Sequence, residues 1–146
     1  MNIAFTFSGL SKNINKTYPI FKRVIDEYNA DVFFSTWDIE DLENGDTIQN
    51  FKDKYNPLLC EVENWKAWEK SFWPTISPNY TIPLHLNPEE YNKASRSSTF
   101  GQWYKIQKSN HLTKLVDKEY DIVVKLRTDI ELSSDFELIL NNYLMI

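Results

Sequence analysis

Residues 120–132 read Tyr-Asp-Ile-Val-Val-Lys-Leu-Arg-Thr-Asp-Ile-Glu-Leu, and this stretch says most about the fold. Its apolar half has the length and the β-branched content of a buried strand. Arg127, Asp129 and Glu131 follow closely, although charged side chains gain nothing from packing at the end of a buried strand. The stretch therefore predicts a strand that carries an Arg and two carboxylates to the rim of a sheet, where they suit a cation or a polar ligand.

The preceding chain alternates strand and helix patterns. Residues 3–7 and 31–38 are short apolar runs that lead into polar residues, which is typical of buried strands. The segment between them has an apolar stripe at helical spacing, formed by Tyr18, Phe21, Ile25 and Tyr28. A strand, a helix and a second buried strand form a parallel βαβ unit. The sequence thus predicts one α/β domain over residues 1–146, with an open, mainly parallel sheet flanked by helices.

The remaining segments complete this domain. Residues 39–51 are acidic and contain Asn-Gly-Asp, which predicts a loop with one helical turn. Residues 58–63 predict a third strand, and residues 64–88 an irregular excursion rich in Trp and Pro. Residues 97–117 are the longest helical candidate, and residues 135–144 predict a final amphipathic turn or helix. A chain of 146 residues is long enough for one real core and too short for two ordinary domains.

Composition narrows the classes of partner. The formal net charge of -5 leaves no basic excess to neutralise phosphates along a nucleic acid, so we expect no nucleic-acid partner. A small phosphate group, met by backbone amides and one Lys, is still compatible with this charge. Cys60 is the only cysteine, which favours a reducing compartment and a cytoplasmic location. No run approaches the roughly 18 to 20 apolar residues that a membrane span needs, so we expect any membrane contact to be peripheral or through a partner.

The turn after the first strand contains Ser8, Gly9 and Lys12. Open α/β sheets bind ligands at the carboxyl ends of their strands, and a glycine there permits close approach of a ligand to the backbone. Free amides at the start of the following helix favour an anionic group, so Lys12 is a candidate for binding phosphates. The structural alternative is a tight turn with a solvated Lys.

Aromatic residues support both ligand-binding and structural interpretations. Trp37 and Asp38 close the second strand at the same predicted edge, where an indole can stack on a base and a carboxylate can bind ribose or polar base atoms. The alternative places Trp37 in the core. The aromatic cluster of residues 65–73 is either a sugar-stacking surface or a set of apolar anchors for the excursion, and we favour packing.

The helix predicted at residues 97–117 has a mixed stripe formed by Phe100, Tyr104, Gln107, His111 and Leu115. Its two polar members either are satisfied by backbone groups in a helix packed on the sheet, or mark a face beside a ligand pocket. Neither His85 nor His111 has a Ser, Cys or carboxylate at a spacing that forms a recognisable catalytic set. The sequence therefore identifies no catalytic residue.

Several short motifs of this sequence occur together, and in the same order, in one known family. They are Ser8-Gly9 with Lys12-Asn13, residues 30–38, residues 55–57 with the acidic strand after them, Tyr104-Lys105-Ile106 with Lys108, Asn110 and Leu112, and residues 121–130, which contain Arg-x-Asp. In these motifs the chain resembles glycosyltransferase-like proteins with a GT-A-like domain, found among the surface-polysaccharide genes of bacteria and of large viruses. The resemblance spans nearly the whole chain.

The resemblance implies a GT-A-like, Rossmann-like domain that binds a nucleotide-sugar donor. It implies transfer of a hexosyl or related sugar to a glycan or glycoconjugate acceptor, in polysaccharide or glycoconjugate synthesis. The donor-binding residues that it implies are Ser8, Gly9, Lys12, Trp37, Asp38, Lys105, Arg127 and Asp129.

The resemblance also implies a divalent cation, Mn²⁺ or Mg²⁺, held by Asp129 with Glu131. Such a cation neutralises the diphosphate leaving group as the glycosidic bond breaks. Glu131 stands where many GT-A enzymes have a second Asp. Arg127 or Lys125 would add positive charge near the same phosphates. The alternative for these two cations is an ordinary ion pair with neighbouring carboxylates at the end of the sheet.

Two other classes of function stay open. Members of the family continue well past the Arg-x-Asp strand, so we expect this chain to be short at its carboxyl end. A truncated, non-catalytic relative that binds a donor or another protein is therefore the second hypothesis. An unrelated α/β nucleotide-binding protein is the third, and the sequence contains neither a P-loop nor a dinucleotide-binding glycine pattern to favour it.

Overall fold

The computed structural model describes residues 1–76, 96–130 and 142. In chain order the elements are β1 (Ile3–Gly9), α1 (Ile14–Glu27), β2 (Asp31–Trp37), α2 (Ile48–Tyr55), β3 (Leu59–Glu63), α3 (Trp65–Ile76), α4 (Arg96–Leu112) and β4 (Ile122–Leu126). The four strands form one sheet in the order β3-β2-β1-β4, and every neighbouring pair is parallel. The predicted α/β fold with a parallel sheet and flanking helices is thus confirmed.

The register of the sheet brings three strand ends together. Phe7 of β1 pairs with Phe34 of β2 on one side and with Leu126 of β4 on the other. The residues that follow these strands therefore meet at the carboxyl edge of the sheet. β1 also continues in register to Gly9, two residues beyond its predicted end.

One face of the sheet is covered by α1 and α2 through an apolar core. The ring of Phe7 lies edge to face with Phe21 of α1, at 5.2 Å between centroids, and with Phe51 of α2, at 5.3 Å. All three rings are fully buried, which makes them large contributors to the hydrophobic stabilisation of the fold. The apolar stripe predicted for α1 is confirmed, because its four members lie in this core or against it.

Helix α2 confirms the loop with one helical turn that was predicted at residues 39–51 and extends that turn to Tyr55. The helix begins at Ile48 after Thr47, whose hydroxyl accepts a hydrogen bond from the Asn50 backbone N–H at 3.0 Å. Phe51 and Tyr55 are buried against the sheet. The polar composition of residues 39–51 predicts no more than one helical turn. The burial of two aromatic side chains four residues apart stabilises a helix that is too short to form alone.

Helix α3 corrects the first part of the predicted excursion at residues 64–88, of which residues 77–88 lie outside the described part. The Asn64 side chain accepts from the Ala67 backbone N–H at 2.7 Å, and Asp38 Oδ1 accepts from the Trp65 backbone N–H at 2.9 Å. Both acceptors satisfy amides that a helix leaves unpaired at its start. The Trp and Pro content of this segment concealed its capping signal at Asn64.

Helix α4 packs on the other face of the sheet, against β1 and β2, with a different side from the one predicted. Gln107, His111 and Leu115 of the predicted stripe are exposed, and the helix ends at Leu112, five residues before its predicted end at residue 117. Among residues 100–112, the part of the helix whose burial is described, the buried residues are Gly101, Lys105, Ser109 and Leu112. Small side chains on this side let the helix approach the sheet closely. The spacing of large apolar residues therefore did not predict which side of the helix is buried.

The strand predicted within residues 120–132 is present as β4. Its apolar residues are half-buried, apart from the buried Leu126, whereas a fully buried strand was predicted. Glu131 and the turn or helix predicted at residues 135–144 lie outside the described residues. Within the described part of the chain, no helix has the length and apolar character that crossing a membrane requires.

Gly101→Ala tests the close contact between α3 and α4. A Cβ at this position would lie 2.5 Å from Cζ3 of Trp65, whose indole packs against Trp37 and Trp68. We expect the substitution to lower the free energy of unfolding in urea by about 1–3 kcal/mol, although Ala is the better helix former by about 1 kcal/mol. Gln107→Ala, on the exposed side of the same helix, should change it by less than about 0.5 kcal/mol. Equal stability of the Gly101→Ala variant and the unchanged chain would contradict this packing.

Candidate functional site

A cavity of about 320 Å³ opens at the carboxyl ends of β1, β2 and β4. The lining residues are Gly9, Leu10, Lys12, Trp37, Ile39, Trp65, Gln102, Arg127 and Asp129. Small-molecule sites in proteins have volumes of about 300–1,000 Å³, so this cavity lies at the small end of that range. Gly9, Lys12, Trp37, Arg127 and Asp129, all predicted from the sequence, thus meet in one cavity.

Thr128 holds the loop after β1 against the end of β4. Its hydroxyl donates to the Leu10 carbonyl at 2.8 Å and accepts from the Lys12 backbone N–H at 2.9 Å. Its carbonyl accepts from the Thr17 hydroxyl at 2.8 Å, which ties α1 to the same point. Gly9 begins the loop at a φ of 98°, a left-handed conformation that favours glycine. These bonds fix the backbone of the loop relative to β4.

The start of α1 already has a carboxylate of the chain beside it. The Ile14 backbone N–H donates to Asp46 Oδ1 at 3.1 Å, and the Ser11 hydroxyl donates to the Asp46 carbonyl at 3.3 Å. The prediction that free amides at this helix start attract an anionic ligand is therefore wrong for the Ile14 amide, because Asp46 takes the position of the anion. Among the groups predicted to bind phosphate in this loop, the Lys12 side chain is the stronger candidate.

Arg127 and Asp129 form a two-bond ion pair in the cavity wall. Arg127 Nε donates to Asp129 Oδ1 at 2.8 Å, and Arg127 Nη2 donates to Asp129 Oδ2 at 2.7 Å. Burial raises the pKa of Asp129, but the hydrogen bonds and charge of Arg127 outweigh burial and leave that pKa lowered overall. The same hydrogen bonds raise the pKa of Arg127. The structure thus contains the ion pair that was the alternative interpretation of Arg127.

Lys12 supplies an exposed positive charge to the cavity, and this charge also attracts the carboxylates of Asp129 and Asp41. Its side chain is exposed and, within the described residues, its ammonium group forms no ion pair. Arg127 and Asp129 largely cancel each other's charge because each carboxylate oxygen faces a guanidinium N–H. The remaining charge of Lys12 favours an anionic group in this cavity.

Trp37 and Trp65 form the apolar wall of the cavity. Trp37 is 3% exposed, so most of its surface belongs to the core, as the alternative interpretation holds. Trp65 is half-buried and lies edge-on to Trp37, with centroids 5.0 Å apart. Trp68 is buried and packs against both rings. Packing therefore describes Trp65 and Trp68, and the other aromatic side chains of residues 65–73 lie outside the described part.

Ser8, Asp38 and Lys105 do not line the cavity. Ser8 is buried in β1. Asp38 is exposed and accepts the first backbone N–H of α3 from Trp65. Lys105 is 0% exposed, and its ammonium group donates to Glu63 Oε2 at 2.5 Å. Asp38 and Lys105 support the walls of the cavity from outside it.

Asp129 offers one carboxylate to a metal ion. The described residues contain no group of three or more His, Cys, Asp or Glu side chains placed to hold a metal, and Glu131 lies outside them. Protein sites for Mg²⁺ often contribute one or two carboxylates, with waters and substrate phosphates as the other ligands. Asp129 therefore fits a cation that arrives with a phosphate-containing ligand and does not make a metal site alone.

Sequence patterns did not reveal Leu10, Ile39 and Gln102 of the lining, or Thr128, which holds the loop of the site. Thr128 is 1% exposed, and its signal was a hydroxyl between two charged residues at a strand end, where alternation turns it away from them. Gln102 reaches the cavity from α4. No local pattern distinguishes Gln102 from a surface residue, so only the docking of α4 on the sheet reveals it.

Comparison of the chain with protein-family models, with curated proteins and with solved structures finds no match.

Thr128→Val tests the clamp between the loop and β4. Val keeps the shape of Thr but leaves the Leu10 carbonyl and the Lys12 N–H without this partner. We expect a loss of about 2–3 kcal/mol in the free energy of unfolding and faster hydrogen exchange of the Lys12 amide, measured by NMR. Thr113→Val removes a hydroxyl that bonds within its own turn, to the Asn110 carbonyl at 2.8 Å, and should leave that exchange rate unchanged. An unchanged Lys12 exchange rate in Thr128→Val would rule out the clamp.

The ion pair in the cavity wall should make stability depend on pH. The pKa of Asp129 is lower in the folded chain than in the unfolded chain, where it is about 3.9. The contribution of the pair is therefore present above about pH 4 and is lost as pH falls through the folded-state pKa. In urea unfolding across this range, Asp129→Asn should show less loss of stability on acidification than the unchanged chain. Arg127→Gln removes the same pair from the other side and should reduce the loss as well. An unaltered acid dependence in both variants would contradict the pair.

Proposed function

We propose that the cavity binds the nucleotide-sugar donor of a glycosyltransferase-type domain with a GT-A-like, Rossmann-like fold. The observation that carries the proposal is the convergence of Gly9, Lys12, Trp37, Arg127 and Asp129, from the ends of three parallel strands, on one cavity. These positions lie in the motifs by which the chain resembles that family. The carboxyl edge of an open parallel sheet is also where α/β proteins commonly bind nucleotides.

Lys12 and Arg127 are the proposed partners of the donor diphosphate. Negative charge develops on this group as the glycosidic bond breaks, and positive charge fixed beside it stabilises the transition state. Lys12 provides an exposed ammonium group in the lining. Arg127 uses two of its five N–H donors on Asp129, so the other three remain for phosphate oxygens.

The planar part of the donor is proposed to lie against Trp65 and the rim of Trp37. Both indoles line the same cavity as the cations, and an aromatic wall suits a nucleobase or the apolar face of a sugar ring. Gln102 lines this cavity too, and its carboxamide can both donate and accept hydrogen bonds. The cavity thus combines cationic groups with an apolar wall, and a sugar nucleotide has both complementary parts.

We also propose that Mn²⁺ or Mg²⁺ joins Asp129 to the donor diphosphate, with Glu131 as a further ligand. Such a cation would supply positive charge to the leaving group. The lowered pKa of Asp129 keeps this carboxylate ionised at neutral pH, and a carboxylate must be ionised to bind a metal ion. Each carboxylate oxygen also has a second lone pair beyond the one used by Arg127.

The acceptor is proposed to approach through a second cavity of about 480 Å³, which shares Leu10, Lys12 and Ile39 with the first. Polar side chains suited to glycan hydroxyls line it as well, among them Asn13, Asn15, Glu40, Asp41 and Asn44. A cytoplasmic location, where Cys60 would stay reduced, is part of this proposal.

A donor-binding or protein-interaction module without turnover is the second candidate. The observation that favours it is the pairing of both Asp129 oxygens with Arg127, since the carboxylate proposed for the metal already has a cationic partner. Hydrolysis or transfer of sugar from a sugar nucleotide by the purified chain would decide against this candidate.

Isothermal titration with a panel of uridine, guanosine and thymidine diphosphate sugars, with and without Mn²⁺, tests donor binding. Lys12→Ala should weaken binding of the preferred donor about tenfold, which corresponds to about 1.4 kcal/mol. Lys125→Ala removes an exposed Lys of β4 that does not line the cavity and should leave the affinity unchanged. Asp129→Ala should abolish any gain from Mn²⁺ and reduce the loss of free Mn²⁺ signal in electron paramagnetic resonance when donor is present. Failure of every sugar nucleotide to bind, with no effect of Asp129→Ala, would refute the proposal.

A further inference from the structure

A buried ammonium group lies directly behind the aromatic wall of the cavity. Lys105 of α4 is 0% exposed, and its Nζ lies 4.3 Å from the centroid of the Trp37 ring. The same Nζ donates to Glu63 Oε2 at 2.5 Å and lies 3.9 Å from Glu61 Oε1, at the carboxyl end of β3. A cation at this distance from an indole face is attracted by the ring electrons, and more strongly where water is excluded.

Glu63 connects this cation to a second aromatic ring. Its other oxygen, Oε1, accepts from the Tyr104 hydroxyl at 2.9 Å. The Tyr104 ring stacks on Trp37 with centroids 5.8 Å apart and an angle of 18° between the planes. Glu63 therefore holds both the cation and the stacked ring that contact Trp37, and it joins β3 to α4 at the cavity.

Stability alone does not account for an ion pair at this position. Removing an ammonium group from water is costly, and replacing a buried ion pair by apolar or neutral side chains of similar size is often neutral or stabilising. The pair instead restricts the orientation of the Trp37 indole, because it holds a cation over the ring and a stacked tyrosine against it. When a cavity wall is already rigid before binding, no binding free energy is lost in ordering that wall.

We propose that Lys105 and Glu63 are positioning residues that hold Trp37 in the orientation that shapes the donor cavity. This inference rests on the proposed function for its ligand, although the restraint on Trp37 can be measured without one. Neither residue lines the cavity, so both act through Trp37.

The test is the double variant Lys105→Met with Glu63→Gln, in protein labelled with 5-fluorotryptophan. The introduced glutamine would keep an acceptor for Tyr104, the introduced methionine would fill the space of the lysine stem, and the charge over the indole would be lost. We expect the ¹⁹F resonance of Trp37, assigned with Trp37→Phe, to shift or broaden. The affinity for the preferred sugar nucleotide should fall about tenfold while the urea midpoint stays close to that of the unchanged chain.

The matched control is Lys118→Met with Asp31→Asn. This pair also joins a Lys to a carboxylate, at 2.6 Å, with the ammonium 5.4 Å from the Tyr120 ring centroid, but it lies at the start of β2 and not at its end. It should change neither the Trp37 resonance nor the affinity. If the first double variant does not fold, Lys105→Gln with Glu63→Gln is measured; this variant keeps two side chains that can hydrogen-bond to each other but removes both charges, and it should still broaden the Trp37 resonance.

The two proposals fail in different ways. An unchanged Trp37 resonance and unchanged affinity in the folded variant would overturn the positioning role, as would an equal loss of affinity in the control pair. If the unchanged chain binds no sugar nucleotide, the proposed function fails. In that case the ¹⁹F resonance alone decides whether Lys105 and Glu63 hold Trp37.

Discussion

The pairing of β4 with β1 is the constraint on which the candidate site depends. Ile3 pairs with Ile122 and Phe7 with Leu126, so the chain returns after more than a hundred residues to the strand with which it began. Closing such a long loop costs chain entropy that grows only slowly with length, and strand pairing with apolar burial offsets it. Thr128 then locks the loop after β1 to residues that follow β4. Without this pairing, the two cations of the cavity would not meet.

The two faces of the sheet differ in composition: one forms the main apolar core, and the other carries polar side chains beside the site. The face under α1 and α2 is an apolar core centred on aromatic rings. The face under α4 is apolar near the amino ends of the strands, where Ala4, Phe33 and Leu112 pack together, and again at Trp37, on which Tyr104 stacks. Towards the carboxyl ends it carries polar side chains, namely Thr6, Ser8, Ser35, Glu61 and Glu63. Buried polar groups need partners of fixed geometry, so this half of the interface restricts the orientation of the cavity wall more than an apolar contact would.

Sequence patterns predicted the parts of the fold that depend on local periodicity. The strands, their parallel arrangement and the apolar stripe of α1 follow from apolar runs and from helical spacing, and all are present. The patterns failed for α4 because the buried side of its residues 100–112 consists of a glycine, a lysine, a serine and one large apolar residue. They failed for α3 because Trp and Pro obscured the capping role of Asn64. Each helix also has a partner distant in sequence, Asp38 for the start of α3 and Glu63 for Lys105 of α4, and no local spacing records either of them.

By itself the sequence determined which residues reach the carboxyl edge of the sheet, because strand alternation and the order of polar residues after each strand are local properties. Gly9, Lys12, Trp37, Arg127 and Asp129 lie in the lining for that reason. Only the tertiary structure decided what each residue does there. Lys105 meets Glu63 across 42 positions, and Thr128 meets the Lys12 amide across 116. Whether a cation faces a ligand or lies beneath a tryptophan depends on how close a helix approaches the sheet, and that distance is set by packing between segments far apart in the chain.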